Sequence, residues 1–171
     1  MSNYINEPVQ ISQLPQIALL DFQSVAKNYP ILHTLETLFV WIIISGAVVT
    51  LDILNDLINF PIWAYIALTI LIALSLMLSY FSAKALGYLL RDKDILYKKG
   101  LFWRKRTGVS FKRIQHIDIT HGPIERKFNL ATIKFFTAGG SMADLKITGL
   151  SKNDAESLRS VILEKTGLNN D

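Results

Sequence analysis

The run Lys98-Lys99-Gly100-Leu101-Phe102-Trp103-Arg104-Lys105-Arg106 is where residue types and spacing point most clearly to chemistry. Clustered Lys and Arg beside an apolar span feel the negative potential of anionic lipids, worth about 1 kcal/mol per basic residue. Phe102 or Trp103 could dip into the headgroup layer. Lys98, Lys99, Phe102, Trp103, Arg104, Lys105 and Arg106 therefore form a candidate lipid-binding set. The plainer account packs Trp103 inside a β domain and leaves the charges to fix topology. A second constellation is His116 and Asp118, two residues apart and so on one face of a strand. Such a pair can orient a general base or a metal ligand. No nucleophile or third ligand stands at a matching spacing, and cysteine is absent, so a polar pair serving a turn or a subunit contact is the better reading. The sequence shows no phosphate loop, zinc spacing or nucleophile elbow. No catalytic residue, metal site or cofactor is expected, and the chain does not read as an enzyme.

The elements that must position these residues divide sharply by hydropathy. Half of the 171 residues are hydrophobic and 19% are charged, against about a quarter charged in ordinary soluble domains. The apolar excess is concentrated between Ile31 and Ala83. Ile31–Leu51 is long enough to cross a bilayer, which takes about 20 apolar residues. His33 and Glu36 lie near its start, within reach of headgroups; a buried helix of a soluble bundle is the competing account. Phe60–Ala83 has no charge and no polar stripe, and Pro61 takes an early position that a helix tolerates. Trp63 and Tyr65 at one end, with Tyr80 and Tyr88 toward the other, suit interfacial aromatic belts. Neither span holds a mid-membrane ionisable residue, which disfavours transport. Ser75, Ser79, Ala83 and Gly87 recur every four residues and are expected to pack the helices together, with Ser45, Gly46 and Ala47 facing them.

The net charge of +4 hides an asymmetry. Ten basic residues from Lys84 to Arg113 are opposed only by Asp92 and Asp94. The connection Asp52–Asn59 carries Asp52, Asp56 and no basic residue. The positive-inside rule then puts both termini in the cytoplasm and the acidic loop outside. Membrane proximity accounts for the basic block more simply than nucleic acid does, and no nucleic-acid partner is expected. The first stretch, interrupted by Pro8, Pro15 and Pro30, lacks the features of a signal peptide. It reads as a cytoplasmic tail with a short helix around Ile17–Ala26.

Beyond Lys84 the period becomes two. Strands are expected over Ile95–Lys98, Leu101–Thr107 and Ile114–Thr120, around Thr132–Phe135, and over Met142–Thr148. Lys99-Gly100 and Ala138-Gly139-Gly140-Ser141 supply turns. Ser151 is an N-cap candidate for a helix carrying Ala155, Leu158, Val161 and Ile162, with Gly167 as its stop. The expected organisation is a tail (1–30), a two-helix transmembrane hairpin (31–83) and a domain (84–171). That domain is α+β or mainly β: antiparallel strands in a partly open barrel capped by a C-terminal helix, the outline of a pleckstrin-homology (PH)-like fold.

Longer motifs sharpen this outline. Arg113-Ile114-Gln115-His116-Ile117-Asp118-Ile119, Gly122-Pro123-Ile124-Glu125-Arg126-Lys127-Phe128, Leu130-Ala131-Thr132-Ile133 and Thr137-Ala138-Gly139-Gly140 resemble the signature of the YdbS-like family of bacterial membrane-anchored PH domains. Gly100-Leu101, Trp103-Arg104 and the pair of preceding spans fit the same family. Two positions depart: Asn129 stands where the family usually has glycine, and Gly108 where it has a larger residue. The resemblance implies a multi-pass protein of the bacterial inner membrane without enzymatic activity. The function expected is an adaptor that binds protein partners, including copies of itself or a related PH-domain membrane protein. Direct binding of anionic lipids by the basic hairpin is the alternative.

Overall fold

The structure, a computed structural model, describes residues 21–54, 60–138 and 143–167. Most of the expected tail, the acidic loop around Asp56 and the Gly139-Gly140-Ser141 turn lie outside the described residues.

Two antiparallel helices form the hairpin: α1 (Tyr29–Leu54) and α2 (Ile62–Lys84). At about 1.5 Å per residue, 23 and 26 residues exceed the roughly 30 Å of a bilayer's hydrocarbon core. Their outward sides are bare, with Phe39, Ile42, Ile53, Ile62, Trp63 and Ile70 all exposed. A core helix of a soluble bundle would bury these side chains, so that account fails. Polar bonds tie the hairpin at both ends. The Asp52 carboxylate accepts from the Phe60 N–H at 2.8 Å and the Tyr65 hydroxyl at 2.7 Å. At the other end the Thr37 and Ser79 hydroxyls meet at 2.8 Å.

The small residues of the expected stripe lie in different settings. Ser79 reaches α1, whereas the Ser75 hydroxyl turns back to its own helix at Ile72. Ala83 is buried at the hairpin base. Gly87 lies beyond the helix, in a strand. Gly46 does not face α2, since a Cβ there would meet nothing within 4 Å.

The remaining chain forms two antiparallel sheets. One has the order β1 (Gln23–Ser24), β2 (Gly87–Leu90), β3 (Asp94–Lys99), β4 (Lys105–Ser110); the other joins β5 (Ile114–Thr120), β6 (Leu130–Thr137) and β7 (Leu145–Ser151). The sheets enclose a core that includes Ile95, Ile133, Phe135 and Ile147. Helix α4 (Lys152–Thr166) closes it with Ala155, Leu158 and Ile162. Its ends follow the sequence: the Ser151 hydroxyl accepts from the Asp154 N–H at 3.1 Å, and Gly167 caps it at φ 72°. The result is a partly open PH-like domain.

The N-terminal segment departs from expectation. From Asp21 it is not helical; Gln23 and Ser24 pair with Tyr88 and Gly87. The hairpin is thus inserted between the first two strands of one sheet. Gly87 permits this close approach, because a Cβ there would lie 3.2 Å from Gln23 O. The strand expected at Leu101 begins only at Lys105, since Gly100 (φ 97°) turns the chain so tightly that a Cβ would strike Trp103 O. The strand expected to start at Met142 begins at Leu145 and runs to Ser151.

The two unusual positions are both accommodated. Asn129 adopts φ 56°, the left-handed conformation that asparagine tolerates better than most residues. Gly108 sits opposite Leu96, whose side chain fills the space a Cβ would take.

Candidate membrane-facing site

Strand register fixes where the basic run lies. Gly87, two residues beyond the C-cap of α2, pairs with Lys98, and Lys98 pairs with Arg106. The β3–β4 connection, Gly100–Arg104, therefore projects from the edge of the sheet that receives the spans. Trp103 is 90% exposed and Phe102 72%, so the account that buried Trp103 in the domain is overturned. The cause is local: Gly100 ends the ladder, and the four residues after it have no strand neighbour.

The seven candidates form one cluster but not one environment. Lys98 Nζ and Arg106 Cζ lie 5.4 and 5.9 Å from the Phe22 ring centre, within the range of cation–π attraction. Phe22, in the stretch read as a tail, is a residue that sequence reasoning missed. Lys99, Arg104 and Lys105 have no carboxylate within 4.0 Å among the described residues. Like charges directly opposite destabilise a sheet, yet Lys98 faces Arg106 and Lys99 faces Lys105 in successive pairs. The Phe22 ring offsets the first pair; the second has no such ring contact among the described residues.

His116 and Asp118 do come together, with Nε2 and Oδ1 2.6 Å apart on the outer face of β5. No group of three or more metal-binding side chains exists among the described residues. Glu125 proves structural: its carboxylate accepts from the Gly122 N–H at 2.7 Å and the Thr132 hydroxyl at 2.8 Å. It thereby fixes the one-turn helix α3 (Pro123–Lys127) against β6.

The hairpin base docks on the second sheet through a bulge. Ile147 pairs with Ile133 and Leu150 with Ala131, so β7 carries one extra residue between them. Gly149 takes φ 76° there, and the Tyr29 ring lies where its side chain would be. The Tyr29 hydroxyl donates to Thr148 Oγ1 at 3.3 Å, and the Ala26 N–H to Gly149 O at 2.7 Å. Leu32 is 1% exposed at this joint. Burial pushes the Tyr97 phenol up, and its hydrogen bond with Thr148 opposes that shift.

Comparison with known proteins agrees with this architecture. A family profile described as a bacterial PH domain matches residues 34–166. The chain is 34% identical over 79 residues to UPF0699 transmembrane protein YdbS of Bacillus subtilis (strain 168), covering 46% of this chain and 48% of that one. It is 27% identical over 101 residues to UPF0699 transmembrane protein YdbT of the same organism, covering 58% of this chain and 20% of that one. The chain thus spans about half the length of the first relative and a fifth of the second. No solved structure matches it significantly.

Proposed function

The chain belongs to the bacterial PH-domain family, and from that premise we propose that it holds a PH-like module flat on an anionic membrane surface. It is a membrane protein, as its two uncovered apolar helices and its transmembrane relatives indicate. The observation that carries the reading is the exposed Phe102-Trp103 pair, flanked by Lys99, Arg104 and Lys105 at the edge of the domain nearest the spans. Each cation there gains about 1 kcal/mol beside anionic lipid, and the aromatic rings settle at headgroup depth. The leaflet is the cytoplasmic one of the bacterial inner membrane, by the excess of Lys and Arg after α2. The role is binding and positioning, without catalysis.

Hydrogen exchange on the full chain in nanodiscs tests this. Amides of Leu101–Arg104 should be protected in phosphatidylglycerol and not in phosphatidylcholine. The protection should vanish in high salt and after charge reversal at Lys98, Lys99, Arg104, Lys105 and Arg106. Equal exchange in both lipids would contradict the proposal.

A second reading is favoured by the outer edge of β4, which has no strand neighbour among the described residues. Beside it runs a groove of about 430 Å³ lined by Thr107, Val109, Arg113 and Asp144. An adaptor could add a partner's strand there, the partner being a second copy or a related PH-domain membrane protein. A defined oligomer or stoichiometric partner after purification in mild detergent would support it; a lone monomer would count against it.

A further inference from the structure

A second cationic site lies where the hairpin meets the domain. It is a cavity of about 250 Å³ at the base of both spans. Lys99 and Lys146 supply charge, His33 a ring nitrogen, and Ser82, Tyr97 and Thr148 hydroxyls, over a floor of Ala83 and Leu86. We infer that this cavity holds the phosphate of an anionic phospholipid headgroup.

Three independent features support a phosphate ligand. Neither lysine has a carboxylate within 4.0 Å among the described residues, and no acidic side chain lines the cavity. The nearby Glu36 stands 3.6 Å from His33 Nδ1 and does not itself line the cavity. Lys146 also sits directly opposite Lys134 on β6, which in turn faces Asp118 on β5, so this cross-strand row holds two cations against one carboxylate. Finally, Thr148 lies in the wall beside Lys146, and both the Tyr29 and Tyr97 hydroxyls converge on its Oγ1, at 3.3 and 3.4 Å.

Size and place argue for a lipid as the source. Pockets for drug-sized ligands run from roughly 300 to 1,000 Å³, so about 250 Å³ suits a headgroup with its acyl chains left outside. His33 belongs to the second turn of α1, and Ser82 and Ala83 to the last turn of α2. That is headgroup depth for a spanning hairpin. A soluble phosphate ester would meet the same donors, and the experiment must separate the two sources. The inference is independent of the exposed tip except for Lys99, which belongs to both, so the test turns on Lys146.

Native mass spectrometry of the full chain, delipidated in mild detergent, reads the bound ligand directly. Phosphatidylglycerol, phosphatidylcholine and inorganic phosphate are titrated separately and in competition. One phosphatidylglycerol per chain should be retained in preference to phosphatidylcholine, whose choline the lysines repel. Lys146→Gln should weaken it roughly five- to tenfold. Lys146→Arg should restore it, and Lys93→Gln, at the opposite end of β3, should leave it unchanged. Lys146 is exposed, so these variants should fold as the parent chain does, with Lys146→Gln no less stable in thermal unfolding. Equal retention by the parent chain and Lys146→Gln would overturn the inference. Displacement of phosphatidylglycerol by inorganic phosphate would overturn the lipid source. Lys146→Gln should leave the lipid-dependent protection of Leu101–Arg104 intact, which keeps failure here distinct from failure of the tip.

Discussion

The base of the hairpin and the β3–β4 tip lie at the same end of the domain, yet they use their aromatic and polar groups in opposite ways. At the base, Tyr29 is seated on Gly149, its hydroxyl is bound to Thr148, and Leu32 is almost wholly buried. At the tip, Phe102 and Trp103 touch little, and Lys99, Arg104 and Lys105 find no acidic partner among the described residues. The first region binds its aromatic and hydroxyl groups within the chain, leaving only Lys99 and Lys146 of the adjoining cavity without a carboxylate among the described residues, and it seats the domain on its anchor. The second leaves its chemistry unsatisfied, as the proposed membrane-facing role requires.

Substitutions should separate the two regions by the size and kind of their effects. The largest loss is expected from Gly149→Ala. Its Cβ would lie 2.4 Å from Tyr29 Cγ at a positive φ, which strain and overpacking together make about 2–4 kcal/mol. Thermal unfolding in detergent should show the loss, and the Ala26 amide should exchange faster. Next, removing the Thr37–Ser79 contact with Ser79→Ala should cost about 0.6 kcal/mol, the usual scale for such bonds between spans. A double-mutant cycle with Thr37→Ala should recover most of that coupling. At the tip, Phe102→Ser with Trp103→Ser should change stability by less than about 0.5 kcal/mol, as exposed substitutions do, while abolishing lipid-dependent protection. A large stability loss there would mean that the tip is structural after all.

The smallest effect is expected at Asp144, which belongs to neither region. The Asp144 carboxylate is held below its usual range by the Thr137 hydroxyl and backbone N–H, at 2.5 and 3.0 Å. A depressed folded-state pKa contributes stability above the unfolded value of about 3.9 and loses it as pH falls through the folded value. Asp144→Asn should therefore lower stability slightly near neutrality and converge with the parent chain in acid, as a pH series of unfolding curves would show.

The legibility of these regions in the sequence differs for physical reasons. The spans were readable because a bilayer demands an uninterrupted apolar run, and the charge-free stretch from Phe60 to Ala83 has no other common explanation. Strand β5 and the caps of α4 were readable because alternation and capping are local. Strand β1 was not: two residues carry no period, and only the return of the chain at Gly87 reveals the pairing. The tip was recognised by its charges, but the exposure of Trp103 depends on where the ladder ends at Gly100. The cavity at the hairpin base was not legible, since Tyr29, Ser82, Tyr97 and Lys146 come from four separate elements, α1, α2, β3 and β7, that only the folded chain brings together.

The most direct test of the seated, membrane-facing tip is the fluorescence of Trp103 alone. The chain has three tryptophans, so Trp41→Phe and Trp63→Phe leave a single reporter. In phosphatidylglycerol nanodiscs its emission should shift to the blue and be quenched by lipids brominated near the headgroup, and high salt should reverse both effects. Emission typical of water in every lipid, unmoved by salt, would contradict the account.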